Sequence, residues 1–586
     1  MLWHSKQRNG DFPVTVTLPV VALPEAVRLP FVHCPTPCAF CHIMCPHCIP
    51  RTIPAPPPSA QLAPATLAQV VEATAAEHGD RPAIQLGTRI IGYAELTDLA
   101  SRWAHALCDR APGARRIGVL GSRSVESYAG ALAASWAGAC FVPLNPRLHR
   151  ERLARVIRLA QLDAVIVEPE WEGLLNNLRA ELMPALPVLW PSDAMEYHPI
   201  PAATAESSDL AYLLFTSGTT GAPKGVGVTN ANVLAYLANA RARYPFASND
   251  RFSQMFEQSF DVSIFDLFVA WSCGACVVGI PAEQLIAPAS YIENEALTVF
   301  SAVPSVLSLM RRRRALRPGR FPAVRYSMFI GEALSVENAE VWAAATPNSL
   351  VENHYGPTEV TVICFAHVWR SANPTWPGRI VPIGAPFPGN YVTVVNERGL
   401  AVTPGDAGEL WIAGSQTVPG YWNDEELTER KFVTQRCSDG VDRLFYRTGD
   451  LVKELPGGEL AFLSRVDDQL KVMGRRIEPG EIEAVLRTIP GVTDAVVVGW
   501  PIEDGQPVAL TAFVCNEASE HGRALSAADI MTASAARLEA VFVPRYVLFV
   551  ESFPLNANGK VDRNALFSTL SGSVGRAGSS PIPQSS

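Results

Sequence analysis

The run Thr216-Ser-Gly-Thr-Thr-Gly-Ala-Pro-Lys-Gly225 follows directly on the apolar segment AYLLF (211–215). Its glycines let the backbone turn and bring N–H groups close to an anion, and its hydroxyls and Lys224 add donors for phosphate oxygens. Lys224 is followed by Gly225 rather than by Ser or Thr, so the spacing of a Walker A loop is absent. A second constellation lies near the start, where Cys34, Cys38, Cys41, Cys45 and Cys48 crowd together with His33, His42 and His47. Thiolates and imidazoles at such spacings can hold zinc or an iron–sulfur cluster. Yet no strand or helix pattern is there to fix ligands, and a Pro-rich stretch, PAPPPSAQLAP, follows at once. On composition this head reads as an extension without a folded role.

Other strings fall in a fixed order around the loop. GYAEL (92–96) and GACFVPLNP (138–146) precede it, and FDVSIFDLF (260–268), NHYGPTE (353–359) and GELWIAGSQTVPGYWN (408–423) follow. YRTGD (446–450), RVDDQLKVMGRRIEPGE (465–481) and PLNANGKVDR (554–563) complete the series. Together they resemble the signatures of the adenylate-forming superfamily of acyl-CoA synthetases, luciferases and nonribosomal peptide adenylation domains. The resemblance is nearest to free-standing amino-acid adenylation enzymes and covers about residues 66–566. One departure is Asn145, which stands where Asp is usual.

The resemblance implies ATP and Mg²⁺ as cofactors and assigns the residues. Thr216, Ser217, Gly218, Thr219 and Thr220 would cradle the phosphates with Lys224, and Asp450 would take both ribose hydroxyls. Tyr355, beside Gly356, would lie on the adenine face, a stacking contact any purine permits. Thr358 would meet the α-phosphate, Arg465 would help hold the nucleotide, and Glu359 would be the metal ligand, as suits a hard cation bound with phosphates. Lys560 would relieve the repulsion between an attacking carboxylate and the α-phosphate.

Asp261 occupies the position that pairs with a substrate α-ammonium in amino-acid adenylating enzymes; a helix N-cap is its other reading. The family's pocket positions carry over to Asp261, Val262, Phe265, Ser301, Met328, Ile330, His354, Val362 and Ile363, closed by Lys560. A mostly apolar middle suits a small or medium aliphatic side chain. Ser301 and His354 could instead greet a polar group, or His354 could fill space and make the pocket shallow. Asp467 would be the hinge about which a small domain turns, exchanging Lys560 for the Lys471–Arg476 face.

Positioning such groups needs more than one domain, and 586 residues exceed what one compact core holds. Strands such as RIGVL (116–120) and DAVIVE (163–168) alternate with helical stretches such as SYAGALAASWAGA (127–139), which predicts α/β layers. From about residue 397 hairpin-like pieces take over, and beyond Asp467 a smaller α+β unit is expected. The expected organisation is a Cys/Pro-rich extension over 1–65, a large domain over 66–465 with a β-rich subdomain, and a hinge at 466–467. A small mobile α+β domain over 468–566 and a disordered Ser/Gly/Pro tail over 567–586 complete it.

Net charge is −9, which leaves no footprint for nucleic acid or anionic lipid. The Arg311–Arg314 run reads as a solvated helix end rather than a docking patch for an acidic partner. Membrane-span and signal-peptide patterns are both missing, so a cytoplasmic location is expected. The stretch after Leu566 reads as too short for a fused carrier domain, so a free-standing enzyme is expected. The expected product is therefore an aminoacyl-AMP, passed to the phosphopantetheine thiol of a separate carrier protein. Rival readings are an acyl- or aryl-CoA synthetase, an alanine–carrier protein ligase, and a catalytically dead scaffold homologue.

Overall fold

Two large sheets enclose a layer of helices, and the reason lies in which residues can be buried from both sides. The helix Val125–Trp136 is buried at every position but Glu126. Its Ala and Gly residues let it sit close: at Gly130 a Cβ would meet Val119 and Ile166 of one sheet at 3.1 and 3.4 Å. On its other side Tyr128 donates to Gln254 of the second sheet at 2.9 Å. Phe141 and Phe268 stack at 6.1 Å, and the Trp271 indole N–H reaches the Ala83 carbonyl at 3.1 Å. This computed structural model describes residues 66–574, apart from 183–184, 218–222, 286, 371–378, 517–524 and 556–560. The cysteine-rich head, the end of the tail and Lys560 lie outside the described residues.

The first sheet has seven strands. Its Leu210–Thr216, Cys140–Leu144, Arg116–Leu120, Ala164–Val167 and Val188–Leu189 strands run parallel, and Lys224–Thr229 turns back antiparallel on Leu210–Thr216. The Thr/Ser/Gly loop is thus a hairpin loop, with Thr216 and Lys224 as cross-strand partners at its base. The second sheet has nine strands, six of them parallel through its centre, ending towards the cleft in Val299–Ala302, Tyr326–Phe329 and Leu350–Tyr355. A five-stranded antiparallel sheet follows, in which Asp442–Glu454 pairs with Ala407–Gly414, Phe432–Arg436 and Leu460–Arg465.

Past Arg465 a small α+β domain forms around its own core. Val492–Gly499, Leu510–Asn516 and Tyr546–Phe549 make a three-stranded sheet, backed by Pro479–Leu486 and Ala527–Ala535. This domain, expected to end at residue 566, continues in a helix over Arg563–Val574, because Leu566 and Leu570, one turn apart, both pack beside Val496, Val498 and Phe513. The tail expected from residue 567 therefore starts inside a helix that runs as far as residue 574. Among the described residues no helix is long and apolar enough to cross a membrane, and no cluster of His, Cys, Asp and Glu could hold a metal.

The arginine run also departs from expectation. Helix Pro304–Arg312 ends within it, and Arg311 pairs with Asp504 of the small domain at 2.9 Å and with Glu337 at 2.8 Å. Arg312 pairs with Glu503. Half of the run is thus a docking patch, and its acidic partner is the chain's own Glu503–Asp504 turn.

Candidate active site

Loop ends and strand ends from all these layers open on one cleft of about 620 Å³. Thr216, Ser217, Asp261, Tyr355, Gly356, Thr358, Asp450 and Arg465 line it, together with Lys471 and the turn of the small-domain hairpin. Local structure explains each placement. Tyr355 ends its strand, and Gly356 passes so near the next segment that a Cβ would stand 2.2 Å from the Val362 carbonyl oxygen. Only glycine fits there. The chain then makes a short helical turn over Thr358–Val360, which aims Thr358 at Asp261.

Asp261 itself precedes a helical stretch over Val262–Ser272 that contains one wide π turn, Phe265–Val269. Such turns recur at functional sites. Its side chain makes no capping hydrogen bond of the ordinary kind, which sets the N-cap reading aside. Burial pushes the Asp261 carboxyl up to about 7, against the Thr358 hydroxyl and the Val362 and Val262 N–H groups, which favour its charged form. One of its oxygens, Oδ2, is buried without a partner among the described residues.

Asp450 and Arg465 are cross-strand neighbours, and their side chains pair at 2.5 Å. The other Asp450 oxygen accepts from the Tyr355 hydroxyl at 2.5 Å. Both ribose-facing oxygens expected from the sequence are thus engaged by protein groups here. Arg465 also holds Asp467, at 2.6 and 2.8 Å.

Glu359 is fully buried and strongly anionic. Burial disfavours its charge, but Arg476 and Lys224, with the Tyr421 hydroxyl, outweigh that and hold the carboxyl at about 2. Arg476 lies at 3.1 and 3.2 Å, the Tyr421 oxygen at 2.7 Å and Lys224 at 3.9 Å. Lys224 also approaches Glu478 to 3.8 Å. Burial, helped by the nearby Arg476, lowers the Lys224 ammonium to about 8.

The hairpin that brings Arg476 here joins Leu470–Val472 to Arg475–Ile477 through Met473 and Gly474, both at positive φ, 50° and 75°. That is the geometry of a two-residue type I′ turn. A Cβ on Gly474 would lie 2.4 Å from Val303, and its N–H donates to Glu332 at 2.6 Å. The Ser217 hydroxyl donates to the Arg476 carbonyl at 2.7 Å, and Lys471 stands 5.8 Å from the Tyr355 ring. In this arrangement, then, the Lys471–Arg476 face fills the mouth of the cleft.

Of the nine expected pocket residues, Asp261, Val262 and Ile330 line the cleft. Phe265, Ser301, Met328, Val362 and Ile363 are buried, none more than 2% exposed, and His354 lines a second cavity together with Tyr355 and Gly356. Ser301 donates to Asp266 at 2.5 Å, so its hydroxyl proton is already engaged. His354 Nε2 is engaged by Glu352 at 3.0 Å and Tyr244 at 2.9 Å, while its Nδ1 has no partner among the described residues. Gly218, Thr219, Thr220 and Lys560 lie outside the described residues. Sequence reasoning missed Glu332, Glu478, Tyr421 and Gln416. The last two stand inside the GELWIAGSQTVPGYWN string, but nothing in a string names the partner a side chain will find.

Thr216 and Ser217 at the base of a hairpin, Tyr355, a buried acid and a second, docked domain around one cleft define an adenylate-forming architecture. Residues 71–422 match the AMP-binding enzyme family and residues 481–560 its C-terminal domain, and the chain belongs to that family. It is 31% identical over 506 residues to tyrocidine synthase 1 of Brevibacillus parabrevis, covering 85% of this chain and 44% of that one. To surfactin synthase subunit 2 of Bacillus subtilis (strain 168) it is 29% identical over 513 residues, 86% of this chain and 14% of that one. The chain thus spans less than half of these relatives' length.

Two solved structures are similar along nearly their whole length. One is the Vibrio cholerae adenylation domain AlmE in complex with glycyl-adenosine-5′-phosphate, at TM-score 0.77 and 28% identity over 88% of this chain and 99% of that one. The other is IdnL7, at TM-score 0.63 and 34% identity over 87% of this chain and 99% of that one.

Proposed function

We propose that this protein activates an amino acid as an aminoacyl-adenylate with ATP and passes it to the phosphopantetheine thiol of a separate carrier protein. The observation that carries the amino-acid part is Asp261. A buried carboxylate with an unpartnered oxygen, opening on the cleft, is costly unless a cation completes it. A substrate α-ammonium is such a cation, whereas a fatty or aryl acid offers none. The AlmE complex holds a glycyl-adenylate, and by its likeness supports the same class of product here.

In this reading residues 66–465 bind nucleotide and substrate. Tyr355 takes the adenine, Asp450 the ribose, and Thr358, Lys224 and the Thr216–Thr220 loop the phosphates. Glu359 fits Mg²⁺, being ionised and buried, and the ion would neutralise charge on the triphosphate. Arg476 now supplies the nearest positive charge at that carboxylate, with Lys224 at 3.9 Å. Seating Mg²⁺ there would require the arginine to leave, and with it the hairpin. The arrangement seen here is therefore assigned to the thiol-transfer step, and Lys560 enters when the small domain turns about Asp467.

Asp467→Pro fixes φ near about −65° and should lock that joint. Pyrophosphate exchange is expected to persist, since ATP and Lys560 favour the adenylation pose, while transfer to a holo-carrier thiol falls by about tenfold or more. Asp467→Ala, which loses the Arg465 pair but keeps backbone freedom, separates the two effects. Equal loss of both half-reactions in the proline variant would end the two-pose account.

The function is tested by offering the enzyme, ATP and an amino acid two acceptors, a holo-carrier protein and coenzyme A. A mass increase of one aminoacyl group on the carrier supports the proposal. Preference for coenzyme A, with an acid lacking an amine, would replace it by a CoA-synthetase reading.

A further inference from the structure

We propose that Asp504 and Arg311 are positioning residues for the thiol-transfer step: their ion pair seats the small domain so that the Lys471–Arg476 face lines the cleft. The inference rests on assigning the arrangement seen here to that step, and goes beyond it by naming what selects it. A turn about Asp467 carries Asp504 away from a partner that stays on the large domain. The pair therefore stabilises one pose and not the other, and a contact made in only one state shifts the balance between two by its own strength.

The seat is built within the large domain. Ser308 and Arg311 stand three residues apart on helix Pro304–Arg312, so they are neighbours on one side of it. From helix Val336–Ala345, Asn338 donates to the Ser308 oxygen at 2.8 Å, and Glu337 pairs with Arg311 at 2.8 Å. Asp504 enters this fork. It accepts from the Ser308 hydroxyl at 2.7 Å, and Arg311 Nη2 donates to both its oxygens at 2.9 and 3.2 Å. Burial disfavours its charge, but Ser308 and Arg311 outweigh that and hold the carboxyl below its ordinary value.

The occupant is equally fixed. Asp504 and Gly505, at φ 50° and 79°, form the two-residue turn that joins Ile502–Glu503 to Gln506–Pro507. This hairpin is braced against the strand that carries Lys471, because a Cβ on Gly499 would stand 2.7 Å from Pro507 and 3.4 Å from Leu470. Packing so close passes a displacement of Asp504 on to Lys471. Arg312 and Glu503 pair beside the seat, but their side chains are 49% and 43% exposed, against 25% and 19% for Arg311 and Asp504. Solvent screening leaves the outer pair little weight, so the inner one decides. Arg152, which pairs with Glu539 at 3.4 Å, holds the small domain elsewhere and keeps docking from depending on the seat alone.

The test uses the full chain with ATP, Mg²⁺, the amino acid that drives exchange fastest, and free pantetheine as acceptor. Asp504→Asn removes the charge and keeps the turn, because Asn tolerates positive φ. It should lower aminoacyl-pantetheine formation about tenfold, the usual worth of a hydrogen bond to a charged group, while pyrophosphate exchange is not lowered. Arg311→Ala should do the same, and Arg311→Lys should recover part of the loss. The double variant Arg311→Ala/Asp504→Asn should be no worse than either single one, since both remove the same contact. Salt at about 1 M should lower the transfer-to-exchange ratio of the unsubstituted chain and leave that of the variants unmoved. Exchange and transfer falling together, with a lowered melting temperature, would make the pair a support of the fold and overturn the proposal, as would variants that change neither rate. Those results leave amino-acid activation standing. An unsubstituted chain that fails at exchange or at transfer would instead remove the two-step reading, and the seat with it.

Discussion

Lys560→Ala is expected to lower amino-acid-dependent pyrophosphate exchange by about a hundredfold or more, the usual worth of one donor aimed at developing charge. A carboxylate approaching the α-phosphate brings two anions together, and a cation between them acts mainly at the transition state. The loss should therefore fall on kcat rather than on KM for ATP. Melting temperature should hold, since the groups that build the small-domain core lie elsewhere, in Val472, Ile482, Val497 and their neighbours. Transfer of a preformed aminoacyl-adenylate to a carrier thiol should also survive, because the Lys471–Arg476 face lines the cleft in the arrangement seen here. Undiminished exchange in the variant would withdraw the role from Lys560.

Asp261→Ala should weaken use of the amino acid by roughly 2–5 kcal/mol, the cost of leaving a buried charge without its partner. That is on the order of thirtyfold to several-thousandfold in kcat/KM. A deaminated analogue, which brings no ammonium, should lose far less. The same carboxyl predicts a pH dependence. Burial holds it near 7, so below that pH the free enzyme carries a neutral acid that must give up a proton before an ammonium can pair with it. KM for the amino acid should rise about tenfold per pH unit below 7 and level off above it. Among its neighbours, Glu359 pushes the carboxyl further up and Thr358 holds it down. Asp261→Asn should bind weakly at every pH and abolish the slope. Equal losses for amino acid and analogue would make Asp261 a structural residue.

How far these groups could be read from the sequence depends on whether chemistry or packing decides them. Arg116–Leu120 and Leu510–Asn516 coincide with apolar runs visible in the sequence, because strands buried on both faces are apolar along most of their length. The phosphate loop is legible for a similar reason, since glycines and hydroxyls so ordered have few other uses. The hairpin that carries it was not, because nothing in the loop says that Lys224 pairs back across to Thr216.

Partners far apart in the chain stayed hidden. Arg311 and Arg312 look like any exposed helix end until the Glu503–Asp504 turn folds against them. Glu332 acquires its meaning only when Gly474 arrives. The surroundings of the pocket positions were the least legible property. Phe246 packs on Phe265, Glu352 engages His354 and Gln416 holds the Thr361–Ile363 segment, and none of these three is among the nine expected pocket residues.

The most direct test of the account is amino-acid-dependent pyrophosphate–ATP exchange by the purified chain with Mg²⁺. Exchange that appears only when an amino acid is added, and that falls sharply in Asp261→Ala, is the expected result. Exchange driven equally well by a carboxylic acid without an amine, and indifferent to Asp261, would contradict the claim that this cleft activates amino acids.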